Sequence, residues 1–371
     1  LFGTVWAYLK LKEQAEPDPS QKIDWTGNIT FAVGLTLLLL ALTYGIMPYG
    51  ESNMGWANPF VIIGLIAGVL LLVAFVFIER KVKMPMFHLD LFRIRAFACG
   101  NLSLFLSSIA RGGLQFMLII WLQGIWLPLH GYSFESTPLW AGIYMLPMML
   151  GFFLMGPLSG MLSDKYGARF FATGGMVLSL IGFLCLTLLP ANFSYGPFCV
   201  ILVVLGFGMG MFAAPNTTAI MNSVPAAQRG ATAGMRSTLQ NTGMALSMTL
   251  YFAILILGLA HSLPPILYKG LASAGLPAAA AQQIAHMPPT SALFAAFLGY
   301  NPMEQLIDAK TLAALPQATK SFLLGNQFFP LTIAPAVMSS LRLAFYISAG
   351  LSAVSAVASF LRGGRFVYGE S

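Results

Sequence analysis

Long apolar runs, nearly free of charge, alternate with short polar turns along this chain. Taken in order, they predict helices at 26–46, 58–78, 97–127, 139–162, 170–190, 197–221, 237–258 and 341–361. Each is long enough, at 1.5 Å of rise per residue, to cross a hydrocarbon core of roughly 30 Å. Composition sharpens the picture: 57% of residues are hydrophobic and 8% charged, whereas a soluble domain carries about 25% charge. A bilayer admits only helices or closed barrels, and these runs are of helix length. The chain is therefore expected to be an all-α integral membrane protein.

The pieces between the runs divide it further. Leu1–Leu9 is apolar but too short to span, and leads through Lys10, Lys12 and Glu13 into a linker with Pro17 and Pro19. No signal peptide has that layout, so 1–25 reads as the end of a truncated helix and a cytoplasmic linker. Residues 26–83 hold two spans, closed by Glu79, Arg80, Lys81 and Lys83. The next stretch, Pro85 to Arg95, is expected to lie on the surface as a short amphipathic helix with Phe87, Leu91 and Phe92 toward lipid. Residues 84–258 contain that stretch and five more spans. One of these is rich in Gly206, Gly208 and Gly210, which lets neighbours approach closely, and is interrupted at Pro215-Asn216. From 259 to 336 nine prolines separate short Ala-rich pieces. This region is expected to be an extracytoplasmic loop, with Ser291–Leu298 as an interfacial or re-entrant piece. The last span and a cytoplasmic tail fill 337–371.

Gly160 to Arg169, between the fourth and fifth runs, gathers nearly all the local charge in Asp164, Lys165 and Arg169. The flanking runs are expected to pack as adjacent antiparallel rods about a tight turn. Gly160 and Gly167 would permit the bend, and Asp164 would cap the N-terminus of the next helix. With this turn cytoplasmic, Lys10, Lys12, Lys22, Arg80, Lys81, Lys83, Arg93, Arg95, Lys165, Arg169, Arg229, Arg236, Arg362 and Arg365 fall inside. Only Lys269, Lys310 and Lys320 fall outside. That is the positive-inside bias. It accounts for the net charge of +7 and removes the reason to expect a nucleic-acid partner.

Arg111 lies in the third run, roughly 20 Å from its start, where a charge costs about 2.5–3.5 kcal/mol on insertion scales. Asn101, Ser108, Arg111 and Gln115 share about 80° of the helical wheel, a polar stripe expected to line a central cavity. Arg111 would there meet an anionic substrate or an acidic partner. The competing reading is a structural arginine bonded to backbone carbonyls at a helix break at Gly112-Gly113. Asn216, Gln240 and Asn241, with Ser237 nearby, are further cavity candidates or else interhelical hydrogen bonds worth about 0.6 kcal/mol each.

Several chemistries are missing. The twelve acids and His88, His130, His261 and His286 lie in loops or at span ends. There is no H-E-x-x-H, no phosphate-binding G-x-x-x-x-G-K-[ST], no intramembrane Asp pair and no Ser with a His at matching depth. An enzyme or ATP-driven pump is not expected, nor a metal site or cofactor. Cys99, Cys185 and Cys199 have no metal-like spacing and read as small core residues.

The Gly160–Arg169 turn resembles the loop signature of the major facilitator superfamily, G-x-x-x-D-[RK]-x-G-x-[RK]. A second stretch is similar to the loop and helix after the Gly-rich span in the fourteen-helix multidrug efflux branch. It runs from Val224-Pro225 to Arg229-Gly230-Ala-Thr-Ala-Gly234 and on to Gln240-Asn-Thr-Gly243-Met-Ala-Leu246. The resemblance implies that the last six runs form the C-terminal six-helix bundle of two inverted triplets. The first two runs would be linking transmembrane helices, and the N-terminal half would be mostly absent. It also implies a drug:proton antiporter of the plasma membrane, with the lipid bilayer and a small hydrophobic substrate as partners and protons carried by the missing N-terminal half. Gly160, Asp164, Lys165, Gly167 and Arg169 would then form a conformational-switch loop. The alternatives are a non-transporting membrane fragment or scaffold, or a transporter of an anionic metabolite.

Overall fold

A computed structural model describes residues 4–6, 9, 24–50, 52, 54–82, 85, 87–298 and 300–363. Most of the expected 1–25 segment, including Lys10, Lys12, Glu13, Pro17, Pro19 and Lys22, lies outside the described residues, as do Lys83 and Arg365. Among the described residues eight helices are long and apolar enough to cross a membrane: α1 (Trp25–Gly45), α2 (Pro59–Glu79), α3 (Arg95–Leu129), α4 (Thr137–Tyr166), α5 (Ala168–Leu188), α6 (Tyr195–Asn222), α7 (Arg229–Ser273) and α8 (Phe328–Leu361). Among the described residues the regular structure is helical, apart from one isolated bridge between Tyr49 and Ser52. Asp24 starts α1 by accepting from the Gly27 amide at 2.9 Å. Asn58 does the same for α2 from Phe60, with Pro59 at the first helical position.

α1 and α2 form a pair whose spans are mostly exposed. Its link to the rest is aromatic. Phe31, Phe75 and Phe87 meet with ring centroids 5.0–5.5 Å apart, and Leu91, Phe97 and Ile220 complete the cluster. This corrects the expectation for Phe87 and Leu91, which are 8% and 6% exposed and do not face lipid. The segment is a 3₁₀ turn at Leu89–Arg93. Its apolar side chains fill the wedge between the α1–α2 pair and the bundle, where rings find ring partners that lipid does not supply. Phe92 alone stays outward, with one edge on Phe97.

The six helices α3–α8 form the bundle. α6 packs along both α4 and α5, α5 continues onto α8, and α3 packs on α7 and α8. The two helices flanking the charged turn are therefore not the adjacent rods that the sequence suggests. They touch each other far less than either touches α6, because α6 is backbone-thin on both sides. A Cβ on Gly206 would collide with the Met148 carbonyl of α4. One on Gly208 would fall 2.6 Å from Ser179 Oγ and 2.7 Å from the Gly175 carbonyl of α5. Small residues of this kind let helix backbones touch, and the dispersion gained there has no competitor on the α4–α5 side. The helix also runs through Pro215 and Asn216 unbroken.

The turn itself is shorter than expected. α4 continues through Asp164 and Lys165 to Tyr166, and only Gly167, at φ 89°, stands outside a helix. Gly160 is an ordinary helical residue. Asp164 does not cap α5, which begins without a side-chain cap. With a one-residue turn, Asp164 falls in the last turn of α4, and the bend needs left-handed backbone at Gly167 alone.

α7 and α8 are longer than the sequence suggests, and the expected loop is correspondingly smaller. α7 runs through Pro264 and Pro265 to Ser273 and α8 begins at Phe328, so the connection is 274–327. A proline costs a helix about 3 kcal/mol. Here Leu255, Leu259, Leu263, Leu267 and Leu271, at four-residue spacing, are all buried, and each contributes about 1.5–3 kcal/mol. The connection is built of short helices at Ala278–Ala285, Pro289–Leu298, Met303–Leu306, Ala309–Ala314 and Gln317–Leu324. Pro289–Leu298 packs on a π-turn of α3 at Leu122–Trp126, burying Ala292, Leu293, Ala295 and Ala296 in the main core.

The two ends of the bundle differ in chemistry. At the end carrying Gly167, Arg95 Nε donates to the Leu361 carbonyl at 2.5 Å, and the Arg169 guanidinium lies 3.8 Å from the Phe360 ring centroid. At the other, Trp126 Nε1 donates to the Phe193 carbonyl at 2.8 Å, and Tyr132 and Tyr144 share a hydroxyl bond of 2.8 Å.

A cavity beside a braced break in α3

α3 is not continuous. Its first segment ends at Gly112, Gly113 breaks the register, and the helix resumes at Leu114–Trp121 before the π-turn. Freed backbone groups in a span need partners, and α7 supplies them. Ser247 Oγ accepts from the Gly113 amide at 2.8 Å and donates to the Ile109 carbonyl at 2.5 Å. One turn on, the Tyr251 hydroxyl donates to the Ala110 carbonyl at 3.3 Å and shares a 2.5 Å bond with Ser348 of α8.

Arg111 sits in the last turn before this break. Its Nε donates to the Ser107 carbonyl at 3.2 Å, a terminal amine reaches Ser107 Oγ at 3.4 Å, and the guanidinium carbon lies 5.7 Å from the Phe212 ring of α6. Beside it opens a cavity of about 230 Å³ between four helices. α3 contributes Ser108, Arg111 and Gln115, α4 Met148 and Met149, α6 Met209, and α7 Gln240 and Met244. One fixed cation, two amides and a hydroxyl face four thioethers. Such a lining suits a small molecule with an apolar body and a few polar groups, because methionine reshapes around different outlines.

Of the residues singled out from sequence, Ser108, Arg111, Gln115 and Gln240 meet here and the others do not. Asn101 is buried and donates to the Phe97 carbonyl at 3.0 Å in its own helix. Asn216 lies at the Gly167 end, donating to the Gly100 carbonyl at 3.2 Å and accepting from Arg362. Asn241 and Ser237 are exposed on α7. Arg111 combines features of both readings offered for it: a backbone carbonyl holds it beside a helix break, and it lines a cavity. The four methionines were missed. For Met244 the signal was a shared face on α7, where Gln240, Met244, Ser247 and Tyr251 follow at spacings of four, three and four residues.

The turn residues stay apart from the cavity. Lys165 Nζ lies 5.2 Å from the Tyr166 ring centroid, and Asp164 makes no hydrogen bond or ion pair among the described residues. Cys99, Cys185 and Cys199 are free and half-buried, so they are not the core residues expected. Among the described residues no group of three or more His, Cys, Asp or Glu is placed to hold a metal ion.

Comparison with known proteins follows the same lines. Residues 24–248 match the family model of the Major Facilitator Superfamily. The uncharacterized MFS-type transporter YhcA of Bacillus subtilis is 30% identical over 251 residues, 67% of this chain and 44% of that protein. Methyl viologen resistance protein SmvA of Salmonella typhimurium is 28% identical over 252 residues, 68% of this chain and 49% of that protein. Multidrug resistance protein 3 of Bacillus subtilis is 29% identical over 232 residues, 62% and 43% of the two chains. The chain thus spans about half the length of the curated relatives it matches. A solved bacterial homologue of the human lysosomal transporter Spinster, inward-facing and unoccupied, aligns with a TM-score of 0.42 and 14% identity over 92% of this chain and 66% of that one, a likeness too weak to assign a conformation. Because the family model covers more than half of the chain and takes in the residues that line the cavity on α3, α4, α6 and α7, the chain belongs to the major facilitator superfamily, a family of membrane transporters rather than of enzymes.

Proposed function

We propose that α3–α8 act as the C-terminal half of a fourteen-helix multidrug transporter, with α1 and α2 as its linking helices, and that the whole protein exports small hydrophobic compounds across the plasma membrane in exchange for protons. The observation that carries this reading is the methionine-lined cavity beside Arg111. The separateness of the α1–α2 pair and a relative named for multidrug resistance support it. None of the cavity-lining residues is acidic, so the proton-coupling carboxylate is assigned to the part of the transporter outside this chain. The Gly160–Arg169 turn faces the cytoplasm in this reading. Asp164, exposed and unbonded among the described residues, is the group that latches one conformation against a neighbouring helix end.

The test is a dye-efflux measurement in cells expressing the complete reading frame, with and without an uncoupler. Expressing cells should retain less dye, and the uncoupler should abolish the difference. Equal retention in expressing and non-expressing cells would overturn the proposal. Arg111→Ala at matched expression should weaken export, and unchanged export and drug tolerance would remove Arg111 from the cavity's function.

A further inference from the structure

We infer that the cavity of α3, α4, α6 and α7 recognises an organic anion: a flat apolar body carrying one carboxylate or sulfonate, which docks on Arg111. The inference rests on reading this cavity as the substrate site, and it commits that site to one sign of charge. A guanidinium offers five N–H donors in a planar fork. Ser107, through its carbonyl and its hydroxyl, accepts from two of its nitrogens, and both acceptors are neutral. Among the described residues its other donors find no acceptor, and no carboxylate lines the cavity. A cation at this depth in a span is retained only with a counter-charge or access to water, and a planar carboxylate matches the fork in two parallel hydrogen bonds.

The rest of the lining agrees with one charged head on an uncharged body. Gln115 of α3 and Gln240 of α7 add neutral donors to the lining. Met148, Met149, Met209 and Met244 supply a polarisable apolar bed for ring systems. A lipophilic cation of similar shape would place like charge against Arg111 inside a region of low dielectric, where repulsion is screened least.

The experiment measures equilibrium binding to the full chain in detergent, using three probes with the same two-ring body: 2-naphthoate, 2-naphthamide and 2-naphthyltrimethylammonium. Hydrogen bonds to charged groups predict that the naphthoate binds about ten- to a hundredfold more tightly than the amide, and more tightly still than the ammonium. Arg111→Gln should erase the difference between naphthoate and naphthamide, leaving the amide's affinity within about threefold, while Arg111→Lys keeps part of the preference. Equal binding of naphthoate and amide, preference for the ammonium, or binding of none of the three overturns the inference. Thermal unfolding of each variant in the same detergent separates lost binding from lost folding. The readout involves no transport. Export of a cationic dye with no anion preference would sink this inference and leave the transporter reading standing, and anion preference without any export would do the reverse.

Discussion

The Gly113 amide of α3 donates to the Ser247 hydroxyl of α7 at 2.8 Å, and the same hydroxyl reaches back to the Ile109 carbonyl at 2.5 Å. One side chain thus closes the break on both sides of Arg111. α7 also carries Gln240 and Met244 into the cavity, so whatever moves α7 there also pulls on the segment that aims Arg111.

Ser247→Ala removes both bonds at once. Interhelical hydrogen bonds in membranes average about 0.6 kcal/mol, with a maximum of about 1.7. The expected cost lies toward the upper end, because an amide and a carbonyl lose their partner together. The lowered thermal midpoint should be accompanied by faster hydrogen exchange at the Gly113 amide. Exchange as slow as in the parent chain would show that the brace does not hold the break.

The position of α6 between α4 and α5 predicts a sharp difference among its glycines. A Cβ on Gly206 meets the α4 backbone, which has no room to give, whereas Gly196 has nothing within 4 Å. Gly206→Ala should destabilise by about 1–3 kcal/mol, and Gly196→Ala should be neutral or slightly stabilising. Size-exclusion profiles and unfolding midpoints of the two variants check this, and equal stability would refute the close approach.

Burial pushes the Arg362 guanidinium down to about 10, still well above neutral pH, so its charge is present under ordinary conditions. Asn216 accepts from it. Asn216→Leu should therefore destabilise by about 1.5–3 kcal/mol, the range for bonds to charged groups. Adding Arg362→Met should recover much of the loss by removing the stranded charge. A double variant less stable than Asn216→Leu would contradict this account in a thermal-melt comparison.

The positive-inside bias predicts an orientation that is open to direct measurement. With Cys99, Cys185 and Cys199 replaced by serine, Asp164→Cys should react with a membrane-impermeant maleimide in inverted vesicles and not in intact cells. Labelling from outside the cell would reverse the topology and the placing of the turn as a cytoplasmic latch.

Length and apolar character alone marked out eight helices, because a span must satisfy its backbone internally and present hydrocarbon to lipid whatever it packs against. The same local physics marked Arg111 as exceptional, since its cost depends on depth and not on neighbours. What packs against what was decided only in three dimensions. α6 reaches both α4 and α5 through single missing Cβ atoms, which a helix-by-helix reading cannot weigh against the pull of a short turn. Pro264 and Pro265 read as breakers until the leucines spaced every four residues around them found a core. Asn101, Asn216 and Asn241 look equivalent to Gln240 in sequence, and the direction of each side chain about its own helix axis, fixed by tertiary packing, sent one to the cavity and three elsewhere. Four helices meet at the cavity beside a break that Ser247 and Tyr251 brace, and no segment of the chain contains that arrangement by itself.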